Sequence, residues 1–193
     1  MMPENRISKQ PVIDRFEGGR GKPTSGVIDY ELGGIALNDP SKGLDYQIWR
    51  SRKIQDRILL DNPNISEPII ILDLPNVTEF SFTFDQNMRV TIAYVQNGTS
   101  YIKWYDTQAG EMVTTTIGKV KTPRVSLDDK RTIARVDSDV ILAYVKSDNK
   151  IYYRYQRDRY GVEYKLSDID ASAGLVKIGM MNNYRFGFMI RGA

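Results

Sequence analysis

Residues Arg89–Asp106 read RVTIAYVQNGTSYIKWYD, two strand-like runs around an Asn-Gly pair. In Arg89–Gln96, Val90, Ile92 and Tyr94 alternate with Thr91, Ala93 and Val95, the period of a pleated strand. Asn97-Gly98 readily takes the positive φ angles of a two-residue hairpin turn. Tyr101–Tyr105 then supplies a returning strand of aromatic and β-branched residues. The pattern recurs fifty residues on, where Val140–Asp158 reads VILAYVKSDNKIYYRYQRD. Without gaps, Ile92-Ala93-Tyr94-Val95 falls on Leu142-Ala143-Tyr144-Val145, Tyr105 falls on Tyr155, and Asp148-Asn149 supplies the turn. A third, truncated copy, Asn183–Ile190, repeats the pattern of Asn87–Tyr94.

Outward from these hairpins, other runs read as strands. Val77–Phe84 places Phe80, Phe82 and Phe84 on one face and Glu79, Ser81 and Thr83 on the other. Leu44–Arg52, Arg57–Leu60, Ile69–Leu72, Met112–Ile117, Val125–Val136, Val162–Leu166 and Leu175–Met180 complete the set, with Ile133 and Val136 expected inside. No segment sustains apolar residues at helical spacing over three turns, so the chain is expected to be all-β. Each unit runs up and down: a lead strand, the Ala-Tyr-Val strand, an aromatic strand and an outer strand. A repeat near fifty residues in that order is that of a propeller blade. The third unit shows only its first two strands, and Leu44–Leu72 has the aromatic and outer strands that it lacks. The expectation is a small propeller-like domain of about three blades over 44–193, closed by its N-terminal strands. An open sandwich or barrel, or completion from another subunit, are the alternatives.

Residues 1–43 are set apart. They hold seven of the fifteen glycines and four of the eight prolines, and Gly18-Gly19, Gly21 and Gly33-Gly34 are expected to break any regular element. Yet Val12-Ile13, Phe16, Val27-Ile28 and Tyr30 make the stretch richer in apolar residues than a disordered tail usually is. It reads as an extended N-terminal arm whose apolar clusters dock on a neighbour as added strands, in preference to a disordered tail.

Composition narrows the chemistry. With no cysteine and no histidine, there is no thiolate nucleophile, no Ser-His-Asp centre and no Cys- or His-based metal site. No cofactor is expected. No apolar run approaches the ~20 residues that cross a bilayer as a helix, and no secretory leader is visible, so no membrane partner is expected. A net charge of +3 is too weak to argue for nucleic acid. The carboxylates Asp85, Asp128, Asp129, Asp137 and Asp139 could hold calcium or form a glycosidase pair. They match no calcium loop, and Asp starts turns by bonding its own backbone.

Surface candidates remain. Tyr152–Tyr160 mixes tyrosines with arginines, as stacking platforms and subunit interfaces do; the ordinary account is a strand that packs on one side and covers its outer face with arginine stems. Tyr153 shares a face with Tyr155 and Arg157, and Arg154 lies on the other. Trp49 and Trp104 occupy similar places in aromatic strands; exposed, they would be interface anchors or sugar platforms, but partial burial in the packing between units is favoured. The interface candidates are therefore Val12, Ile13, Phe16, Val27, Ile28, Tyr30, Trp49, Trp104, Tyr153, Arg154 and Arg157.

From about residue 43 to 190 the chain resembles virion structural proteins of tailed bacteriophages, of the neck, tail or baseplate. The pieces that carry this are Phe84-Asp85-Gln86-Asn87-Met88, Leu127-Asp128-Asp129-Lys130-Arg131 and Gln156-Arg157-Asp158-Arg159. The resemblance implies a non-enzymatic subunit without catalytic residues, assembling as a symmetric homo-oligomer with other virion structural proteins. It would be put together in the host cytoplasm and kept in the virion. The alternative from another class is a carbohydrate-binding module contacting the host surface, with a glycan on Trp49, Trp104 or the tyrosine-rich strand.

Overall fold

A computed structural model describes residues 29–35, 48–61, 66–85, 87, 89–128, 138–166, 168–180 and 186–190. Every element among them is a β-strand, and all pairing is antiparallel. The chain divides into two compact units, one built on residues up to Asn76 and the other from Val77 onward.

The first unit is a four-stranded meander of β1 (Asp29–Ile35), β2 (Ile48–Ile54), β3 (Arg57–Asp61) and β4 (Ile69–Asp73), in that order. Two expectations change here. Residues 29–35, assigned to the arm, form β1, with Tyr30 opposite Arg52. Gly33-Gly34 do not break the strand: they sit in a register shift between Leu32 and Ile35, where a bulge absorbs them. The segment meant to complete the third repeat builds its own sheet instead. Both edges of β2 and of β3 are taken by β1, β3 and β4, so neither pairs with the last hairpin. Among the described residues no closed propeller or barrel forms. The rest of the proposed arm, 1–28 and 36–43, lies outside the described residues.

The second unit is a stack of layers. A first meander holds β5 (Val77–Phe84), β6 (Val90–Gln96), β7 (Thr99–Asp106) and β8 (Glu111–Gly118). A second holds β9 (Lys121–Leu127), β10 (Val140–Val145), β11 (Ile151–Tyr155) and β12 (Tyr164–Lys165). The last is a hairpin of β13 (Leu175–Met180) and β14 (Phe186–Ile190). Ile133 and Val136 lie outside the described residues.

Alternate residues of each central strand face opposite layers. Ala93, Ile102 and Trp104 of the first meander pack with Leu142, Tyr144 and Tyr160 of the second. On its other side the second meander sets Ile141, Ala143 and Val145 against Leu175 and Ile178, with Phe186, Phe188 and Ile190 closing over them. Being covered on both sides explains why β10 is apolar throughout rather than alternating. On β5 the small polar residues Ser81 and Thr83 are buried, and Ser81 Oγ accepts the Val125 N–H at 3.2 Å, joining the facing edge strands β5 and β9 of the two meanders.

The two turns differ by one residue, and that alters the repeat. Asn97 and Gly98 both have positive φ, 50° and 75°, giving a two-residue turn. The second turn has three residues between the Lys146–Lys150 pair, with Asn149 left-handed at 60°. Ile102 therefore opposes Ala93, whereas Tyr153 opposes Ala143. Tyr155 takes the place of Trp104, not of Tyr105 as the ungapped alignment has it. A slip of one residue moves a side chain to the other face.

Candidate assembly interface

The register that pairs Ile141 with Tyr155, Ala143 with Tyr153 and Tyr153 with Tyr164 puts three tyrosines on one face of the second meander. Tyr153 stacks on Tyr164 with ring centroids 5.3 Å apart, and Tyr155 meets both edge-on at 5.4 and 5.7 Å. The Arg157 guanidinium lies 3.9 Å above the Tyr155 ring, and the Tyr164 hydroxyl donates to Asp158. The last hairpin covers part of this face with Phe186 and Phe188, and among the described residues the rest is open. Tyr153 and Tyr155 are half-buried and Tyr164 is exposed, and Val162, Leu166 and Ile169, before and after β12, are exposed apolar residues. Rigid aromatics with one arginine above them are the composition of a contact surface.

On the opposite face the polar groups are turned inward. The buried Tyr144 hydroxyl donates to Glu163 at 2.5 Å and accepts from Arg154 Nε at 2.7 Å. Glu163 also takes Lys146 Nζ at 2.8 Å, and Arg154 reaches the Tyr160 carbonyl at 2.8 Å. Burial, with the hydrogen bond to Glu163 next, pushes the Tyr144 phenol well above its ordinary range, so it stays protonated. Burial also pushes Glu163 up, but hydrogen bonds from Lys146 and Tyr144 outweigh it and hold the carboxylate below its usual value. The network fastens the segment around β12 to its sheet.

It also sets a pH dependence. A carboxylate with a lowered folded pKa stabilises above its unfolded value, here 4.5, and that contribution is lost as pH falls through the folded value. Glu163→Gln is expected to make the acid limb of stability shallower, seen in urea midpoints from about pH 3 to about pH 7.

The acidic turns are structural in the same sense. Asp85 accepts the N–H groups of Asn87 and Arg89, and Asp139 those of Val140 and Arg157. Asp106, which is buried, accepts from Gln108 and pairs with Arg159. Among the described residues no three His, Cys, Asp or Glu side chains converge to hold a metal ion.

The candidates fall into separate places. Val12, Ile13, Phe16, Val27 and Ile28 lie outside the described residues. Tyr30 is on β1 and Trp49 on β2. Trp104 is 3 % exposed, its indole N–H donating to Thr115 Oγ1 at 3.1 Å, so it is a core residue rather than a surface platform. Arg154 belongs to the inner network. Tyr153 and Arg157 do come together, joined by Tyr155 and by Tyr164, which the sequence does not single out. The alternation of Tyr164 with Val162 and Leu166 on an outer strand was the available signal.

No model of a known protein family matches the chain. A search of curated proteins finds no match either.

Proposed function

We propose that this protein is a non-enzymatic structural subunit of a tailed phage particle, in its neck, tail or baseplate. It would be present in several copies, with residues 1–28 as the arm that ties each copy to its neighbour. The observation that carries the reading is the aromatic face of Tyr153, Tyr155, Tyr164 and Arg157, only partly covered among the described residues. The charged groups beside it are engaged in bracing turns and strands. The sequence resemblance supports the particle, and symmetric oligomers supply the setting in which one surface recurs around an axis.

Removing residues 1–28, which spares β1, is expected to leave a folded protein that fails to enter particles. Circular dichroism and immunoblotting of purified particles check this; normal incorporation would refute the arm's role. A carbohydrate-binding module is the second reading. The burial of Trp104 takes away one of its platforms, and the three tyrosines are what favours it. Glycan binding lost in Tyr164→Ala with the fold intact would support that reading over the first.

A further inference from the structure

We infer that the last hairpin receives, beside β14, a strand donated by residues Val12–Glu17 of a neighbouring copy. This rests on the arm's role proposed above and names its receiving site.

Equivalent positions in successive layers have unequal cover. Ile102 and Trp104 are 0 % and 3 % exposed, because the second meander presents the elements that cover them, among them Leu142, Tyr144 and Tyr160. Their counterparts Tyr153 and Tyr155 are only half-buried, because the layer above them has two strands among the described residues where the other sheets have four. The same comparison holds one layer further. Ala93 and Ala143 are fully buried, while Met189, at the corresponding position of the third copy, is 46 % exposed. The edge of β14 itself, Phe-Gly-Phe-Met-Ile, carries neither a charge nor a proline, the usual guards of an exposed edge. What the surface fits is a strand lying antiparallel to β14.

The arm has a segment of that kind. Val12-Ile13-Asp14-Arg15-Phe16-Glu17 follows the order of Tyr101-Ile102-Lys103-Trp104-Tyr105-Asp106: isoleucine second, aromatic fifth, acid sixth. In the first meander Ala93 opposes Ile102 and Ile92 opposes Lys103. Transposing that register sets Ile13 opposite Met189 and Asp14 opposite Phe188. Val12, Asp14 and Phe16 then face the second meander. Two apolar side chains would lie over the tyrosines, and the carboxylate between them is on the side of the Arg157 cation. Ile13 covers Met189 on the other side. Main-chain hydrogen bonds supply the affinity and this alternation the specificity.

The chain has no cysteine, so single introduced thiols report the contact without background. Full-length Ile13→Cys and Met189→Cys proteins, each confirmed folded by circular dichroism, are mixed and mildly oxidised. A disulfide-linked heterodimer is expected. The mixture of Asp14→Cys with Met189→Cys, one residue out and on the opposite face, should cross-link at least tenfold less. Equal yields from the two mixtures, no heterodimer, or only Met189–Met189 homodimers from hairpin-to-hairpin contact would each overturn the register. An intramolecular disulfide in the double variant, at the expense of the intermolecular one, would overturn donation by a neighbour. No cross-link together with failed particle entry of the 1–28 deletion would leave the arm's role standing and remove this site. A cross-link together with normal entry would do the reverse.

Discussion

Trp104→Ala is expected to lower the unfolding free energy by about 3–5 kcal/mol, the range for truncating a large buried aromatic. In a chain of this size that shifts the melting temperature by roughly 6–20 °C. The indole lies in the seam between the two meanders, edge-on to Tyr160 at 5.2 Å, with Ile102, Leu142 and Tyr144 in the same cluster. Alanine would open a cavity bounded by two sheets, each held by its own hydrogen-bonded ladder and slow to collapse into the space. It would also leave Thr115 without its indole partner. Trp104→Phe keeps a ring against Tyr160 but loses that hydrogen bond and part of the volume, and a smaller loss, about half, is expected. A surface tryptophan serving as a sugar platform would change stability by no more than about 0.5 kcal/mol on truncation. Denaturant unfolding of the two variants therefore separates a core residue from a binding one without any ligand in hand.

The repeat was legible because it is written in side chains that pack. The Ala-Tyr-Val strands carry a small residue on one face and a large one on the other, and Ala93/Tyr94 and Ala143/Tyr144 show that alternation directly. The turn at Asn97-Gly98 was equally plain, since both residues must take positive φ. The relative register of β11 was not. It depends on one extra residue in the second turn, and only Asn149 in a left-handed conformation reveals it. That residue decides that Tyr155 shares the face of Tyr153 with Ala143, in the place that Trp104 fills one layer earlier. The first unit was misread for a different reason. Two adjacent glycines signal a break when the partner strand is unknown, and a bulge once β2 lies alongside. The interface face was half legible: Tyr153 and Arg157 stood out by type, whereas Tyr164 became part of it only through strand pairing that sequence spacing does not specify.

The second large effect is expected at Gly174, where Gly174→Ala should cost about 2–5 kcal/mol, adding about 1–2 for a left-handed backbone to about 1–3 for overpacking. Gly174 has φ of +90°, and a Cβ there would stand 2.7 Å from Thr122 Cγ2. Thr122 cannot easily withdraw. It sits in the register shift of β9, itself left-handed at φ 47°, an uncommon conformation for a β-branched residue. What holds it there includes its hydroxyl, which accepts the Leu175 N–H at 2.8 Å and so pins the start of β13 to β9. Arg124 makes a second tie between these strands, its Nε donating to the Val176 carbonyl at 3.0 Å. The two parts of the cost can be separated. Thr122→Ser removes the methyl that the new Cβ meets and keeps the hydroxyl that holds Leu175. In that background Gly174→Ala should lose most of the overpacking part, the retained Oγ1 standing 3.2 Å from the new Cβ, and keep the left-handed part, so the two substitutions are non-additive by about 1–2 kcal/mol in a double-mutant cycle. Additive costs would mean that the close approach of Thr122 and Gly174 does not govern the site. Because β13 carries β14, Gly174→Ala should also reduce the Ile13–Met189 cross-link while leaving the first meander's own packing around Trp104 intact.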